Sequence, residues 1–333
     1  MQKQFLIPGP VLRKDGSPIP GYSFKSILKY DRKAIKAPFY RIKEWDFYQV
    51  SDDKMCLQFT IGHASYAGQV GVMLFDFKEG VKLAERGTIL PLPFNSLHMP
   101  SDQEVDHILS YGHGNRMIRF ETKGDKRYLI CRWDDFKAKI KLTRQTNKSI
   151  VVNIPFKESK TAFYYNQKIN CMTAEGEVTY KDGSYSFSKD NSFGLLDWGR
   201  GVWPFHNEWY WSNGTGYVDG KIFGFNLGCG FGNPEHGTEN VIFYGDEVIK
   251  LYNVVIKHEE DYMKPWHIYD DESKVDLILT PTYDRTTKVK LLWVDNCCHQ
   301  MFGEFTGYVT LNDGRKLEIS NVLAFAEHAV NNW

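Results

Sequence analysis

The sequence predicts an all-β protein made of two tandem antiparallel β-barrel or sandwich halves with few short helices, and three observations predict it. Short β-branched and aromatic runs recur along all 333 residues. Turns rich in glycine and aspartate separate them at hairpin spacing. Motifs of the first part return in the second at nearly constant offsets, the mark of an internal duplication. Aromatic residues are 15% of the chain (9 Trp, 19 Tyr, 22 Phe), a supply that fills β cores or lines pockets for organic ligands.

In chain order, the expected strands lie at 45–50, 55–61, 71–77, 116–121, 128–132, 138–142, 149–154, 177–180 and 184–187. They continue at 209–211, 222–227, 240–243, 248–256, 275–280, 289–293, 307–311 and 316–322. Each is a run of three to nine residues in which alternating or β-branched side chains suit a pleated, half-buried surface. The turns that join them are Lys123-Gly124-Asp125, Lys181-Asp182-Gly183, Val218-Asp219-Gly220, Tyr244-Gly245-Asp246 and Asn312-Asp313-Gly314. No stretch keeps a 3.6-residue apolar period over helical length, and brief helical turns are expected only near 100–109.

The repeat sets the domain organisation. The octet from Gly176 to Gly183 matches that from Gly307 to Gly314 at an offset of 131, sharing Gly, Val, Thr, Asp and Gly. At an offset of 130, Phe193, Leu195, Asp197, Trp198 and Trp203 fall opposite Leu323, Phe325, Glu327, His328 and Trp333. Upstream, Glu44-Trp45 matches Glu208-Trp209 at 164, Ile61-Gly62 matches Leu227-Gly228 at 166, and 73–77 matches 241–245 at 168. Drifting offsets of this kind are loop insertions between two copies of one β unit. The halves are expected at 1–203, with an N-terminal extension, and at 204–333.

Composition excludes several classes. Forty-one basic and 41 acidic side chains cancel, so no global field recruits nucleic acid or an anionic membrane. Apolar runs are far shorter than the roughly 18 residues a spanning helix needs, so no integral membrane segment is expected. Pro8, Gly9 and Pro10 interrupt the only apolar patch near the start, which argues against a signal peptide. Six cysteines without a CxxC pair read as reduced thiols of a cytoplasmic protein. There is no phosphate-loop pattern and no G-x-S-x-G. His236, Glu239 and His299 lack an HxH or HxxxH spacing, so neither metal nor cofactor is expected.

The densest chemistry lies at the junction of the halves, in Leu195-Leu-Asp-Trp-Gly-Arg-Gly-Val-Trp-Pro-Phe-His-Asn-Glu-Trp-Tyr-Trp211. Asp197, Arg200, His206 and Glu208 are the candidate catalytic residues. Asp197 is expected to pair with Arg200, and His206 with Glu208 on one strand face, where a histidine and a carboxylate can share a proton. Trp198, Trp203, Trp209 and Trp211 are candidate apolar walls. The alternative for the same stretch is a staple between halves whose polar groups satisfy one another. A second cluster, 223–240, alternates glycine with aromatics and contributes Phe225, Asn226, His236 and Glu239. His63, at the matching place in the first copy, completes the ligand-binding candidates.

The runs LLDWGRGVWPFHNEWYW, FGFNLGCGFGNPEHGTENVIFY and HQMFGEFTGYVTLNDGRKLEI, with the ending FAEHAVNNW, resemble domain-of-unknown-function family 2804 over nearly the whole chain. More remotely the sequence is similar to tandem lipocalin-like proteins: carotenoid 1,2-hydratase, AttH-like proteins, fungal Diels-Alderases and survival-factor lipid-transfer proteins. The resemblance implies a barrel or inter-barrel pocket for a small apolar or amphiphilic molecule, with cofactor-free acid/base chemistry of hydro-lyase or isomerase type. Two other readings stand beside it. One is a non-catalytic lipid or small-molecule carrier; the other is a carbohydrate-active protein using Asp197 and Glu208, which needs carboxylates roughly 5–9.5 Å apart. Oligomeric state is not legible.

Overall fold

Hairpin turns and alternating runs do produce an almost purely antiparallel protein. The computed structural model describes residues 2–291 and 294–332, with the Leu291 side chain left aside. The last part of the expected strand at 289–293 and the repeat's Trp333 therefore lie outside the described residues.

The chain opens with β1 (Gly9–Pro10), β2 (Gly21–Ser23) and β3 (Leu28–Lys29), then β4 (Ile42–Ser51), β5 (Met55–His63), β6 (Ala67–Asp76) and β7 (Val81–Pro91). It continues through β8 (His107–His113), β9 (Arg116–Lys123), β10 (Lys126–Trp133), β11 (Phe136–Arg144), β12 (Ile150–Pro155), β13 (Phe163–Tyr180), β14 (Gly183–Phe187) and β15 (Phe193–Val202). Then follow β16 (His206–Val218), β17 (Lys221–Cys229), β18 (Val241–Tyr244), β19 (Glu247–Lys250), β20 (Val254–Lys257), β21 (Trp266–Asp270), β22 (Val275–Leu291), β23 (Val294–Thr310) and β24 (Lys316–Asn332). Short 3-10 turns occur at Arg32–Ala34, Phe39–Arg41 and Pro234–His236. The helical turn expected at 100–109 is absent: residues 107–109 open β8, where Ile108 and Leu109 alternate between exposed and buried. Among the described residues no helix is long and apolar enough to cross a membrane.

Two curled half-barrel sheets result. The main path of the first runs β7-β6-β5-β4-β15-β13-β11-β10-β9-β8, and the second runs β19-β18-β17-β16-β24-β23-β22-β21-β20. The orders match strand for strand from β7 to β9 and from β19 to β20, which is the duplication read in three dimensions. Gly176 and Gly307 show it locally. Each has a left-handed φ (146° and 132°), and at each a Cβ would fall 2.1 Å from a carbonyl oxygen of the neighbouring strand, on Lys139 and Asp276 respectively. Only glycine permits that approach.

Each half-barrel has its own apolar core, one around Phe59, Phe120, Phe136 and Trp198, the other around Phe225, Trp266, Leu277 and Phe305. The sheets pack against each other through two further clusters. Cys56, Phe75 and Leu195 meet Trp211, Phe302 and Phe325, while Ile154, Tyr164 and Trp203 meet Val241 and Phe243. Residues 2 and 3 reach across to the second half: the Lys3 N–H donates to the His236 carbonyl (2.7 Å), and the Gln2 side chain bonds the Leu251 carbonyl and the Thr238 N–H.

Candidate functional site

The junction motif is divided between the sheets. Residues 193–202 form β15 of the first and 206–218 form β16 of the second. A strand alternates its side chains, so Asp197 and Arg200, three residues apart, leave opposite faces. The expected ion pair between them is therefore replaced. Arg200 turns into the first half-barrel, donates to Asp46 (2.8 Å) and stacks on Trp198 (4.3 Å). Asp197 turns toward the second sheet and meets Lys168, its cross-strand neighbour, at 3.0 Å.

Lys168 anchors a buried network between the sheets. Its ammonium lies 3.6 Å from Glu239 and 3.9 Å from the centre of the Trp211 ring, and Asn166 also donates to Asp197 (2.6 Å). The Trp211 indole N–H donates to Asn226 (2.7 Å), whose amide donates to the Glu239 carboxylate (3.3 Å). The pseudo-equivalent of Asp197, Glu327, accepts from the Trp209 indole (2.8 Å) and from Gln300 (3.0 Å). Gln300 in turn accepts from Gln58 of the first sheet (2.7 Å). Burial pushes the Glu327 carboxyl above the usual carboxylate range. Gly228 lacks a side chain because a Cβ there would sit 2.5 Å from Glu239. The adjoining cleft, about 80 Å³, is lined by Gly228, Phe231, Glu239, Asn240 and Tyr252. Lys168 sits between the Asp197 and Glu239 carboxylates, one from each half, which is the arrangement of a staple between halves.

Two glutamates equivalent in the repeat have diverged. In the first half Glu44 is buried, accepts from Tyr30 (2.8 Å) and Arg32, and lies 3.2 Å from His63 Nε2 and 3.8 Å from Arg200. The Ser65 N–H donates to His63 Nδ1 (3.1 Å), so the ring proton is on Nε2, facing the carboxylate. Burial favours the neutral acid, but His63, Arg200 and Arg32 outweigh it and hold Glu44 down at about 2. That carboxylate is a fixed anion.

In the second half Glu208 is half-exposed and lies 2.8 Å from His328 Nε2. The carboxylate places the ring proton on Nε2, leaving Nδ1 to accept from the Tyr262 hydroxyl (2.8 Å). Tyr262 stacks on His299 (4.0 Å), whose Nδ1 lies 2.8 Å from Asp284; its Nε2 is then the basic nitrogen. Tyr210 stacks on His328 (4.3 Å), and His258 lies between Tyr262 (4.6 Å) and Trp266 (4.3 Å). Burial, followed by the charges of Cys297, Asp284 and Glu208, pushes the Tyr262 phenol up, so it keeps its proton. Burial pushes His258 down, so its ring stays neutral. The cluster sits at the end of the second sheet where β16 begins and β24 finishes, and it combines two carboxylate-backed imidazoles with a phenol.

The remaining candidates scatter. His206 is exposed and bonds Asn332 (2.9 Å), so it does not share a proton with Glu208. Trp203 is buried between the sheets against Trp45 (5.1 Å) and Phe231 (5.7 Å). Phe225 lies within the second core beside Phe305 (5.2 Å). His236 is partly exposed on its 3-10 turn, 3.9 Å from Glu235. Asp197 and Glu208 point to different surroundings, one between the sheets and one against His328, so they do not flank a common bond. Sequence reasoning missed Lys168, His328, Tyr262 and His258. His328 had a signal, since it stands opposite Trp198 in the repeat; Tyr262 sits in the irregular 258–265 connection and had none.

A family model described as domain of unknown function (DUF2804) matches residues 2–333. None of the curated proteins matches the sequence. Among solved structures, an AttH-like protein from Nitrosomonas europaea aligns with a TM-score of 0.53 at 10% identity, over 86% of this chain and 92% of that one. CghA, solved with Sch210972, aligns at 0.53 and 8% identity over 98% and 97%. Kievitone hydratase from Nectria haematococca aligns at 0.53 and 10% identity over 86% and 88%. Identities this low establish a shared fold, the tandem lipocalin-like one, and leave chemistry to the site itself.

Proposed function

We propose that this chain, which belongs to the DUF2804 family, binds a small apolar or amphiphilic organic molecule and carries out acid/base chemistry of hydro-lyase or isomerase type without a cofactor. The observation that supports it is the pair of 2.8 Å contacts, Glu208 to His328 and His328 to Tyr262, stacked on the Asp284-backed His299. Of the residues singled out in the sequence, Glu208 keeps a positioning role through His328, while Asp197 and Arg200 serve as structural ions and His206 has none.

In the elimination direction, His299 Nε2 takes a proton from a substrate carbon as the C–H bond breaks, and Asp284 stabilises the imidazolium. Tyr262 gives its proton to the departing hydroxyl as the C–O bond breaks. An alkene and water result, and transfer of the proton from His299 to Tyr262 restores both groups. His328, held by Glu208, orients the phenol and accepts its hydrogen bond between turnovers. Tyr210, His258 and Trp266 supply flat walls.

The test begins with native mass spectrometry of protein purified from its own cells and identification of any molecule retained. That compound is then incubated in deuterium oxide. Deuterium appearing on carbon, with His299→Ala and Tyr262→Phe slower by about 10²–10⁴-fold, is expected for general acid/base catalysis. Retention of the compound without exchange or turnover would overturn catalysis and leave a carrier.

A further inference from the structure

We infer that the end of the first half-barrel where β4 begins is a binding site for a free amphiphilic anion, separate from the acid/base cluster and independent of the function proposed above. A concavity of about 300 Å³ opens there, lined by Arg32, Lys33, Phe39, Ile42, Phe94 and Asn95. That volume is at the small end of the roughly 300–1,000 Å³ of organic-ligand sites. One side is cationic and amidic; the other is apolar.

Three features mark it as built for an occupant. The Phe39 and Phe94 rings are each 51% exposed with centres 5.4 Å apart, and Tyr40 and Leu92 beside them in sequence are exposed to 50% and 57%. Apolar surface gathered this way and edged by charge is characteristic of interaction sites. The backbone also holds Phe94 out under strain: Leu92, Phe94 and His98, none a glycine, have left-handed φ values of 45°, 51° and 47°. Bonds from the Leu92 N–H to the Tyr66 carbonyl (2.9 Å) and from the Phe94 N–H to the Ser65 carbonyl (3.0 Å) keep it there. Strain of this sort persists where the surroundings over-determine it and gathers at ligand clamps.

Charge selects the sign of the occupant. Arg32 is held by Glu44 and by Ser65 (3.0 Å), so the uncompensated positive charge of the rim is that of Lys33. Among the described residues Lys33 forms no ion pair, and with the Asn95 amide it offers donors to an anionic head. The head lies on Arg32, Lys33 and Asn95, and the apolar body lies along Phe39, Ile42 and Phe94. A concave site of this size suits a single free molecule rather than a bilayer face.

The experiment follows displacement of anilinonaphthalene sulfonate from the full chain by dodecanoate, with uncharged N-phenylnaphthylamine in parallel. One dodecanoate per chain is expected. Lys33→Glu should weaken dodecanoate by about tenfold while sparing the uncharged probe, whereas Phe94→Ala should weaken both by about tenfold. Phe94→Gly, which relieves the left-handed strain, checks that the loss follows the ring and not the fold. His299→Ala should bind dodecanoate as the parent does, so failure of the acid/base proposal leaves this result standing. Unchanged dodecanoate binding in both Lys33→Glu and Phe94→Ala, or its loss in His299→Ala, would overturn the assignment. So would binding to phosphatidylglycerol vesicles that dodecanoate does not compete away.

Discussion

Glu44 and Glu208 occupy the same place in two copies of one strand, and their neighbours have given them opposite electrostatic fates. Because the folded pKa of Glu44 (about 2) is below its ordinary 4.5, its stabilising contribution is complete above about 4.5 and is lost as pH falls toward 2. Glu44→Gln should lower stability at pH 7 by on the order of 3 kcal/mol and by far less near pH 2–3, so that denaturation curves of variant and parent converge in acid. Tyr262 gives the second prediction. Its phenol is raised by burial, so the alkaline limb of the pH–rate profile should lie above the ordinary phenol value near 10, and Tyr262→Phe should abolish that limb. At this scale the sequence was partly legible. The repeat put Glu44 opposite Glu208, and the acidic, tryptophan-rich junction did mark buried chemistry. It could not assign partners, because Arg200 pairs with Asp46 and Glu208 with His328 across 154 and 120 residues of chain.

Strands declare themselves by alternation when one face is wet, and this explains which elements were readable. The hairpin β9 to β10, with its turn at Gly124, alternates buried and less buried residues and was expected within a residue or two. The first two-thirds of β13 was not. Residues 163–174 are buried without a break because one face lines the first core and the other meets the second sheet, so Asn166, Lys168 and Asn170 interrupt the apolar run where buried polar partners await them, Asp197 on the neighbouring strand for Asn166, and Glu239 and Asn213 of the second half for Lys168 and Asn170. Close approach of elements makes the third prediction. At Gly199 on β15 a Cβ would lie 2.1 Å from the Trp45 ring. Gly199→Ala should therefore destabilise by about 1–3 kcal/mol through overpacking, measurable by denaturant titration, while Gly216→Ala, whose nearest neighbours are the Val322 methyls at 3.5 and 3.7 Å, should not show a clash.

Across the whole molecule, the staple couples the halves. Lys168→Ala leaves Asp197 and Glu239 without their ammonium and should cost about 3–5 kcal/mol, with much of the loss recovered when Asp197→Asn is added. We expect 1–203 and 204–333 to be soluble when produced together and to aggregate when produced apart, since separation bares the Phe75, Trp211 and Phe325 faces; size-exclusion chromatography of the two preparations decides it. The duplication was legible because its strand order and its paired glycines, Gly176 and Gly307, survive in sequence. The packing of one copy on the other was not, because the residues that make it are ordinary aromatics and amides.

The strap at residues 2 and 3 adds an order of events. Its docking partners, Thr238, His236 and Leu251, are translated more than two hundred residues later. During synthesis the strap must wait undocked while the first half-barrel forms, and its closure records that the second has arrived.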